Sequence, residues 1–546
     1  MAAGVSPADT LEFVYPLDVP MSLSGNYGEL RSNHFHCGID FRIGGVPGAR
    51  VYAAERGYVS RISVSSTGYG NALYITHPDG SVSVYGHLQK YIPKIQKYVE
   101  SEQYERKSFY LDISLDPDMF PVEKREHVAF AGNTGSSGGP HLHFEIRTPD
   151  NVPENTFERG IFSLPDYLPP VINRVDFMGY SKIYGADHTF HVKHAVERNE
   201  LIKLPMYSYV AIDAIDKMEG TAAKLAVTEY KVSLDSTLIY HLNIGEVPIE
   251  QGRFINSLID YSLKNRTRRP MIKSYVQPGN GLAHKISAVD DGLIVLSDTA
   301  IHTVKVEALD YRGNCKSYSY RVRRVDSLFR EQTGIEPDGV YMAWYLPNFY
   351  KRDGFSFRMP PASLYSSIYF KADTVAKLRT LYSECWNIMS ADVPLHNGAT
   401  VSIKYTGPEN LASKALIASV SRPGRGYGIG GDMDSTGYMS AKISSFGKYA
   451  IMVDTIPPSV RPNFNNGAQL KRNSIAFTIS DALSGIKNFN VEIDGHWVLA
   501  IFDAKSARLS VDLQKAKIKK GATHKLVIKV TDNKENTSVV RRNFRW

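Results

Sequence analysis

Residues 57–88 read GYVSRISVSSTGYGNALYITHPDGSVSVYGHL, a series of short apolar runs separated by glycine-containing turns. Within these runs apolar and polar residues tend to alternate, as they do in a strand that is buried on one face only. The same pattern returns in residues 127–147, HVAFAGNTGSSGGPHLHFEIR. These runs predict a compact antiparallel β-sheet within the first 165 residues.

A polar stretch rich in tyrosine and lysine, from about residue 88 to 120, interrupts this rhythm. It reads as an insertion between two strands of the predicted sheet. We expect it to be partly helical, around Ile92 to Tyr104.

The chain as a whole is predicted to be mainly β and to contain several domains. Its 546 residues are too many for one hydrophobic core. A hydrophobic fraction of 43% and a charged fraction of 22% are typical of folded proteins. The 33 tyrosines, together with short runs of valine, isoleucine, serine and threonine, favour strands over helices.

An internal repeat indicates two related modules. The segment DYLPPVINRVDF, from Asp166, resembles DTIPPSVRPNF, from Asp454, and each opens a similar series of strand-like runs. Paired prolines favour an extended linker. We therefore predict an N-terminal domain over 1–165, Ig-like β-sandwich modules over 166–326 and 454–546, and a further β-rich domain over 327–453. These are called below the N-terminal domain and the second, fourth and third modules.

Charge and cysteine content exclude some classes of protein. The net charge of +8 is spread along the chain rather than gathered into a basic tract, so we expect no nucleic-acid partner. Three distant cysteines do not form a disulfide framework. No apolar run is long enough for a transmembrane helix, and the start MAAGVSPADT lacks the pattern of a secretory leader.

Three histidine-containing motifs lie in the N-terminal domain. They are HFHCGID over residues 34–40, YGHL over 85–88 and HLHFE over 141–145. Residues two or four apart in a strand share a face, so His141 and His143 point the same way, as do His36 and Asp40. If these strands are neighbours, imidazoles and a carboxylate converge on one point.

Such a convergence suits zinc. A catalytic zinc ion takes three ligands of these types and keeps a fourth position for a water molecule, whose lowered pKa makes it a nucleophile at neutral pH. No histidine is followed by glutamate, which excludes the HExxH proteases. Gly135, Ser137 and Gly139 satisfy GxSxG, but a predicted strand follows them where a serine hydrolase needs a helix.

The three motifs, in this order, resemble those of the lysostaphin/LytM family of zinc endopeptidases. The family pattern is HxxxD, an internal YxHL-like histidine, and a glycine-rich turn leading into HxH. The resemblance covers residues 27–147. It implies that His36, Asp40 and His143 bind one zinc ion per chain, and that His87 and His141 assist catalysis.

The resemblance also implies a function, a zinc endopeptidase that cleaves stem peptides or cross-links of bacterial peptidoglycan. Two alternatives stay open: a non-catalytic LytM-like scaffold that activates cell-wall amidases, and a zinc peptidase that acts on proteins. A wall substrate requires a location in the cell envelope, periplasmic or secreted, with a leader already removed. The later modules could bind an envelope protein.

Four other residues near the motifs receive structural interpretations. We expect His34 and Glu145 to have structural or supporting roles, although each shares the parity of a predicted ligand. Cys37 is expected to be a buried thiol on the opposite face, and His77, in the turn THPDG, is expected at the surface.

Overall fold

The computed structural model describes residues 11–196, 200–375, 380–422 and 425–546. The protein is mainly β, as predicted. Residues 1–10, which carry the argument about a leader, lie outside the described residues. Among the described residues, no helix is both long and apolar enough to span a bilayer. The α-helices are α1 Pro93–Glu105, α2 Ile255–Leu258, α3 Tyr261–Thr267 and α4 Arg330–Thr333.

The N-terminal domain is built on an antiparallel sheet, which confirms the prediction. The strands follow the order β1-β4-β13-β8-β7-β6-β10, with β11 beside β6, and a smaller sheet has the order β5-β12-β9. The strands are β1 Leu23–Gly25, β2 Leu30–Arg31, β3 His34–Phe35, β4 Ile39–Arg42, β5 Arg50–Tyr52, β6 Gly57–Val64, β7 Asn71–Thr76, β8 Val82–Gly86, β9 Leu88–Tyr91, β10 Leu111–Ser114, β11 Pro121–Val122, β12 His127–Ala131 and β13 His141–Arg147.

Strand β13 shows how the alternation of its sequence separates the core from the polar face. Leu142, Phe144 and Ile146 are fully buried in the hydrophobic core of the domain. The residues between them, His141, His143 and Glu145, point to the opposite face of the sheet. A single strand therefore serves both the core and the candidate site.

The insertion is partly helical, as predicted. It comprises β9, α1 and β10, and α1 has a proline at its start, where the missing N–H costs nothing. Ile95 and Val99 on one face of α1 are buried in the domain core. The insertion is thus packed onto the domain and is not a loose loop.

The second and fourth modules share one strand arrangement, which explains the sequence repeat. Each has two sheets around a core. One sheet follows β16-β24-β23-β18-β19-β21 in the second module and β38-β45-β44-β40-β41 in the fourth. The edge pairs β16–β24 and β38–β45 are both parallel in otherwise antiparallel sheets.

The opposing sheet is β15-β14-β17-β20, with β22 beside β17, in the second module, and β37-β39-β43-β42 in the fourth. The strands of the second module are β14 Val171–Ile183, β15 Ala186–His194, β16 Leu201–Leu204, β17 Tyr207–Ile215, β18 Glu229–Leu234, β19 Thr237–Asn243, β20 Ile272–Lys273, β21 Ile286–Ala288, β22 Ile294–Val295, β23 Ile301–Leu309 and β24 Cys315–Arg324. Those of the fourth are β37 Ser459–Pro462, β38 Ala468–Gln469, β39 Ser474–Ser480, β40 Ile486–Ile493, β41 His496–Trp497, β42 Ala500–Asp503, β43 Arg508–Asp512, β44 Thr523–Asp532 and β45 Thr537–Arg545.

The third module is also a β-structure, with two five-stranded sheets around a core of its own. Its strands are β25 Val340–Met342, β26 Asn348–Arg352, β27 Phe355–Met359, β28 Ile368–Phe370, β29 Ala372–Val375, β30 Cys385–Ile388, β31 Ala399–Lys404, β32 Ala415–Arg422, β33 Arg425–Gly430, β34 Asp432–Met433, β35 Tyr438–Ile443 and β36 Gly447–Val453.

The boundaries of the four domains stay predictions, and across the first boundary the cores share residues. Met218 and Leu225 belong to the core of the N-terminal domain, although they lie in the second module. Phe35 belongs to the core of the second module, although it lies in the N-terminal domain. The two units therefore pack as neighbours with a common apolar boundary.

Gly38 is required by the close approach of two segments in the N-terminal domain. A Cβ atom at this position would lie 2.4 Å from the backbone oxygen of Phe144 in β13. Backbone cannot move aside as the end of a flexible side chain can. Only glycine lets the HFHCGID segment lie this close to β13.

We predict that Gly38→Ala lowers the stability of the protein by about 1 to 3 kcal/mol, the usual cost of forcing atoms into a packed region. The measurement is the midpoint of thermal unfolding. Gly138→Ala is the matched control, since a Cβ there meets nothing within 4 Å. An unchanged midpoint for Gly38→Ala would contradict the close approach.

Candidate metal centre

Strand pairing brings the separate sequence motifs to one face of the sheet. Asp40 in β4 lies directly opposite His143 in β13. On the other side of β13, His143 lies opposite Gly86, the last residue of β8. His87 directly follows Gly86 in the chain. His36 comes directly after β3. The structure thus brings together the three residues that the sequence predicts as ligands.

Three atoms of these ligands form a compact triangle. His36 Nε2 lies 3.0 Å from His143 Nδ1 and 3.0 Å from Asp40 Oδ1, and His143 Nδ1 lies 2.9 Å from Asp40 Oδ1. Two ligands of a tetrahedral zinc ion are about 3.3 Å apart. All three residues are buried. The spacing and the donor types therefore fit a zinc ion with three protein ligands.

The outer nitrogens of the two ligand histidines are held by acceptors. His36 Nδ1 lies 2.7 Å from the carbonyl oxygen of Asn26, and His143 Nε2 lies 2.7 Å from Glu145 Oε1. A carbonyl or carboxylate oxygen can only accept, so these nitrogens carry the proton. His36 Nε2 and His143 Nδ1 are left with lone pairs directed at the cluster, as metal ligation requires.

Glu145 is part of a buried network behind His143. It accepts hydrogen bonds from the Tyr69 hydroxyl at 2.6 Å and from Arg147 Nε at 2.7 Å. Burial alone would raise the pKa of Glu145, but His143 and Arg147 lower it to about 2. Burial alone would lower the pKa of His143, but hydrogen bonds to Asp40 and Glu145 raise it to about 9. The two carboxylates beside His143 thus favour a positive charge at this position, which a metal ion bound to Nδ1 would supply in place of a proton.

Asp40 is surrounded by positive and donor groups. Burial would raise its pKa, but His36, His141 and His143 together hold the pKa well below its usual range. Arg31 Nη2 lies 3.2 Å from Asp40 Oδ2, the oxygen that does not face the cluster. Asp40 is therefore ionised, which is the state that binds metal.

The two histidines that the resemblance assigns to catalysis face each other beside the cluster. The ring centroids of His87 and His141 are 4.8 Å apart. His87 Nδ1 donates to the Thr134 carbonyl and His141 Nδ1 donates to the Gly139 carbonyl, each at 2.8 Å. His141 Nε2 lies 3.3 Å from Asp40 Oδ1. Burial and the two neighbouring imidazoles lower the pKa of His87 to about 3.

An open cleft of about 470 Å³ leads to this cluster. Asp40 and His141 are among the residues that line it, together with Arg31, Arg42 and Gly139. The cleft therefore gives access from solvent to Asp40, one of the three predicted ligands.

Three residues near the motifs can now be placed. His34 is exposed and contacts the carbonyl of Ser32, away from the cluster. Cys37 is half-buried, and burial raises the pKa of its thiol to about 12, so the thiol stays protonated. The expectation that His77 lies at the surface is wrong: it is buried between the Arg56 carbonyl and the Ser83 hydroxyl.

The sequence motifs did not reveal that the second module supports the segment around His36, called below the His36 loop. Asn26, whose carbonyl holds His36, accepts a hydrogen bond on its side chain from the Ala226 N–H at 2.7 Å. Phe35, next to His36, is buried in the core of the second module. Such contacts join segments some 200 residues apart, which no local pattern indicates.

The fourth module lies against the other side of the site. Lys505 Nζ donates to the backbone carbonyls of Asn133 and Ser137, in the turn before His141. Lys515 pairs with Glu100 of α1 at 2.6 Å. The fourth module therefore supports the turn whose Thr134 and Gly139 carbonyls hold His87 and His141.

Two known protein families match separate parts of the chain. The model of Peptidase family M23 matches residues 34–104, which include His36, Asp40 and His87. The chain therefore contains a Peptidase M23 domain. A second model, for a Zu5-like domain, matches residues 339–454, within and just beyond the third module.

Relatives of the M23 domain are named as peptidases. An uncharacterized metalloprotease of Haemophilus influenzae is 30% identical over 111 residues, covering 20% of this chain and 18% of that protein. The DD-carboxypeptidase/endopeptidase Mpg of Neisseria meningitidis is 30% identical over 118 residues, covering 22% of this chain and 21% of that protein. The chain thus spans about a fifth of the length of the curated relatives it matches.

Solved structures similar to the M23 domain include the catalytic domain of the prophage-encoded M23 protein EnpA from Enterococcus faecalis. It has 24% sequence identity and a TM-score of 0.20, over 26% of this chain and 94% of that one. The catalytic domain of lysostaphin from Staphylococcus simulans has 22% identity and a TM-score of 0.19, over 26% of this chain and 90% of that one.

We predict that Glu145→Gln weakens metal binding by about 10- to 100-fold, because an amide can no longer fix the proton on His143 Nε2 as a carboxylate does. The measurement is a competition titration with a zinc chelator. Tyr69→Phe is the matched control, since it removes only a hydrogen bond to Glu145 and should have a smaller effect. Equal loss in both variants would contradict a specific role for the carboxylate.

Proposed function

We propose that this chain is a zinc-dependent endopeptidase that hydrolyses stem peptides or cross-links of bacterial peptidoglycan. The main support is the triangle of His36 Nε2, Asp40 Oδ1 and His143 Nδ1, with sides of 2.9 to 3.0 Å and both outer histidine nitrogens already held. When bound there, one zinc ion per chain would polarise the scissile carbonyl and lower the pKa of a water molecule.

His87 and His141 would handle the protons of the reaction. Each ring directs its Nδ1–H to a backbone carbonyl, so Nε2 is the basic nitrogen of the neutral ring. A neutral imidazole beside the cleft has the form that a general base requires. We assign to this pair the transfer of a proton from the attacking water to the departing amine.

The substrate class rests on the family and on the names of relatives. Mpg of Neisseria meningitidis is named a DD-carboxypeptidase/endopeptidase. The cleft has two arginines along its walls, Arg31 and Arg42, which suits a stem peptide carrying carboxylate groups. Activity on peptidoglycan would place the protein in the cell envelope, periplasmic or secreted, and its later modules could bind an envelope partner.

The non-catalytic scaffold is a weaker candidate. A scaffold has no need for ligand atoms held at coordination distance or for second contacts that fix the histidine protons. A peptidase that acts on proteins shares the same site chemistry, so only the substrate distinguishes it.

We predict that His143→Ala loses zinc and activity together, because two remaining ligands hold the ion poorly. His141→Ala should retain zinc but lose about 100-fold or more in rate, the usual contribution of a general acid or base. Zinc content is measured by elemental analysis, and activity by release of soluble fragments from isolated sacculi.

His127→Ala serves as the control for both variants. His127 lies on β12 in the smaller sheet and contacts the Ala129 carbonyl, so it should retain both zinc and activity. Equal loss of zinc in His141→Ala and His143→Ala would show that the roles within HxH are assigned wrongly.

We expect the zinc-loaded protein to cleave defined muropeptides and to leave glycine-rich proteins intact. The two digests, followed by mass spectrometry, separate a wall substrate from a protein substrate. Cleavage of the proteins alone would overturn the proposed substrate class, and a zinc-loaded protein that cleaves neither would favour the scaffold.

A further inference from the structure

A second cluster of possible metal ligands lies where the N-terminal domain meets the second module. It consists of Asp166 in the predicted linker, Asp216 after β17 and Asp310 after β23, and their nearest carboxylate oxygens lie within 4.8 Å of one another. The relative exposures of these residues are 4%, 1% and 4%. Three carboxylates are thus buried together, outside the M23 site.

Three of the six carboxylate oxygens lack hydrogen-bond partners. Both carboxylate oxygens of Asp166 and Oδ1 of Asp216 are buried and accept no hydrogen bond. Asp310 differs, since its Oδ1 accepts from the N–H groups of Arg312 and Asn314. Leaving buried carboxylate oxygens unpaired is costly, so the cluster must either take up protons or bind a cation.

In the described part of the chain, Arg312 lies near the cluster and lowers the pKa of Asp166 without forming an ion pair with it. None of the three carboxylates forms an ion pair with lysine, arginine or histidine there. The nearby Arg312 directs Nη2 to the Ser163 hydroxyl and the Leu164 carbonyl instead.

The pKa values of Asp166 and Asp216 are raised, as expected for buried carboxyl groups with too little positive charge nearby. Burial, then Asp310 and Glu219, raise the pKa of Asp166 to about 6. Burial, then Asp166 and Asp310, raise the pKa of Asp216 to about 8.

The repeated fourth module provides an internal comparison. Its equivalent residues Asp454, Asp481 and Asp532 also cluster, but backbone N–H groups satisfy them. Asp454 accepts from the N–H groups of residues 456 and 484, and Asp481 accepts from those of residues 483 and 485. The aspartate cluster of the fourth module is therefore stabilised by backbone hydrogen bonds, whereas Asp166 and Asp216 in the second module keep unpaired carboxylate oxygens.

We propose that Asp166, Asp216 and Asp310 bind a hard divalent cation, Ca²⁺ or Mg²⁺, at the junction between the M23 domain and the second module. Oxygen-only ligands select these cations over zinc, which takes nitrogen and sulfur as well. Ca²⁺ fits an irregular group of carboxylates better than Mg²⁺, which demands near-octahedral geometry.

The position of the cluster gives the cation a structural role. Asn314 Nδ2 donates to the backbone carbonyl of Asp166 at 3.2 Å, and Tyr311 packs against Phe157 of the M23 domain. A cation that joins Asp166 to Asp216 and Asp310 would fix the linker to the second module. It would thereby hold the orientation of the module that supports the His36 loop.

The test is equilibrium dialysis of the full, zinc-loaded chain against radioactive Ca²⁺, with Zn²⁺ present and no chelator. We expect about one Ca²⁺ per chain. Asp216→Asn should weaken binding by about ten-fold or more through the loss of one charged ligand. Asp481→Asn, the equivalent change in the fourth module, should leave binding unchanged. A parallel dialysis with Mg²⁺ identifies which cation binds more tightly.

Thermal unfolding separates loss of the site from loss of the fold. Asp216→Asn replaces a buried carboxyl group that is costly to ionise, so without cation its unfolding midpoint should equal or exceed that of the unaltered protein, while the increase caused by Ca²⁺ should disappear. Failure of the unaltered protein to bind either cation at millimolar concentration would overturn the proposal. So would binding that is lost in Asp481→Asn but retained in Asp216→Asn.

Discussion

The pairing of β4 with β13 is the constraint on which the M23 site depends. This register sets Asp40 opposite His143, while the intervening Phe41, Leu142 and Phe144 fill the core. A shift by one residue would turn the ligands toward the core and the phenylalanines toward the cleft. Burial of the aromatic side chains and assembly of the metal ligands are therefore two results of one register. Gly38 permits this arrangement because it lets the chain before β4 approach the backbone of β13.

One ring nitrogen of each histidine at the site donates to an oxygen acceptor, so the other ring nitrogen keeps its lone pair for metal ligation or proton transfer. The Asn26 carbonyl and the Glu145 carboxylate fix the protons of His36 and His143, which leaves lone pairs toward the cluster. Backbone carbonyls fix His87 and His141 in the same way. The site is thus organised for ligation and proton transfer by groups that do not themselves face the cleft.

The later modules are structural partners of the M23 domain. The second module buries Phe35 and holds Asn26, so the His36 loop depends on a core formed largely by another part of the chain. The fourth module contacts the turn before His141 through Lys505. The cleft itself is lined by residues of the N-terminal domain, so the modules act through the segments that they contact.

The sequence by itself determined the mainly β class, the sheet of the N-terminal domain, the helix in the insertion and the repeat of two modules. It also indicated which side chains could ligate a metal, because alternation along a strand and the order of the three motifs are local properties. Tertiary structure decided what local patterns do not carry: the distances among His36, Asp40 and His143, the burial of His77, and the support of Asn26 by Ala226. It also decided that Asp166 and Asp216 keep carboxylate oxygens without hydrogen bonds, whereas Asp454 and Asp481 in the repeat accept them. These features depend on which distant backbone groups become neighbours, and that is set by packing across the whole chain.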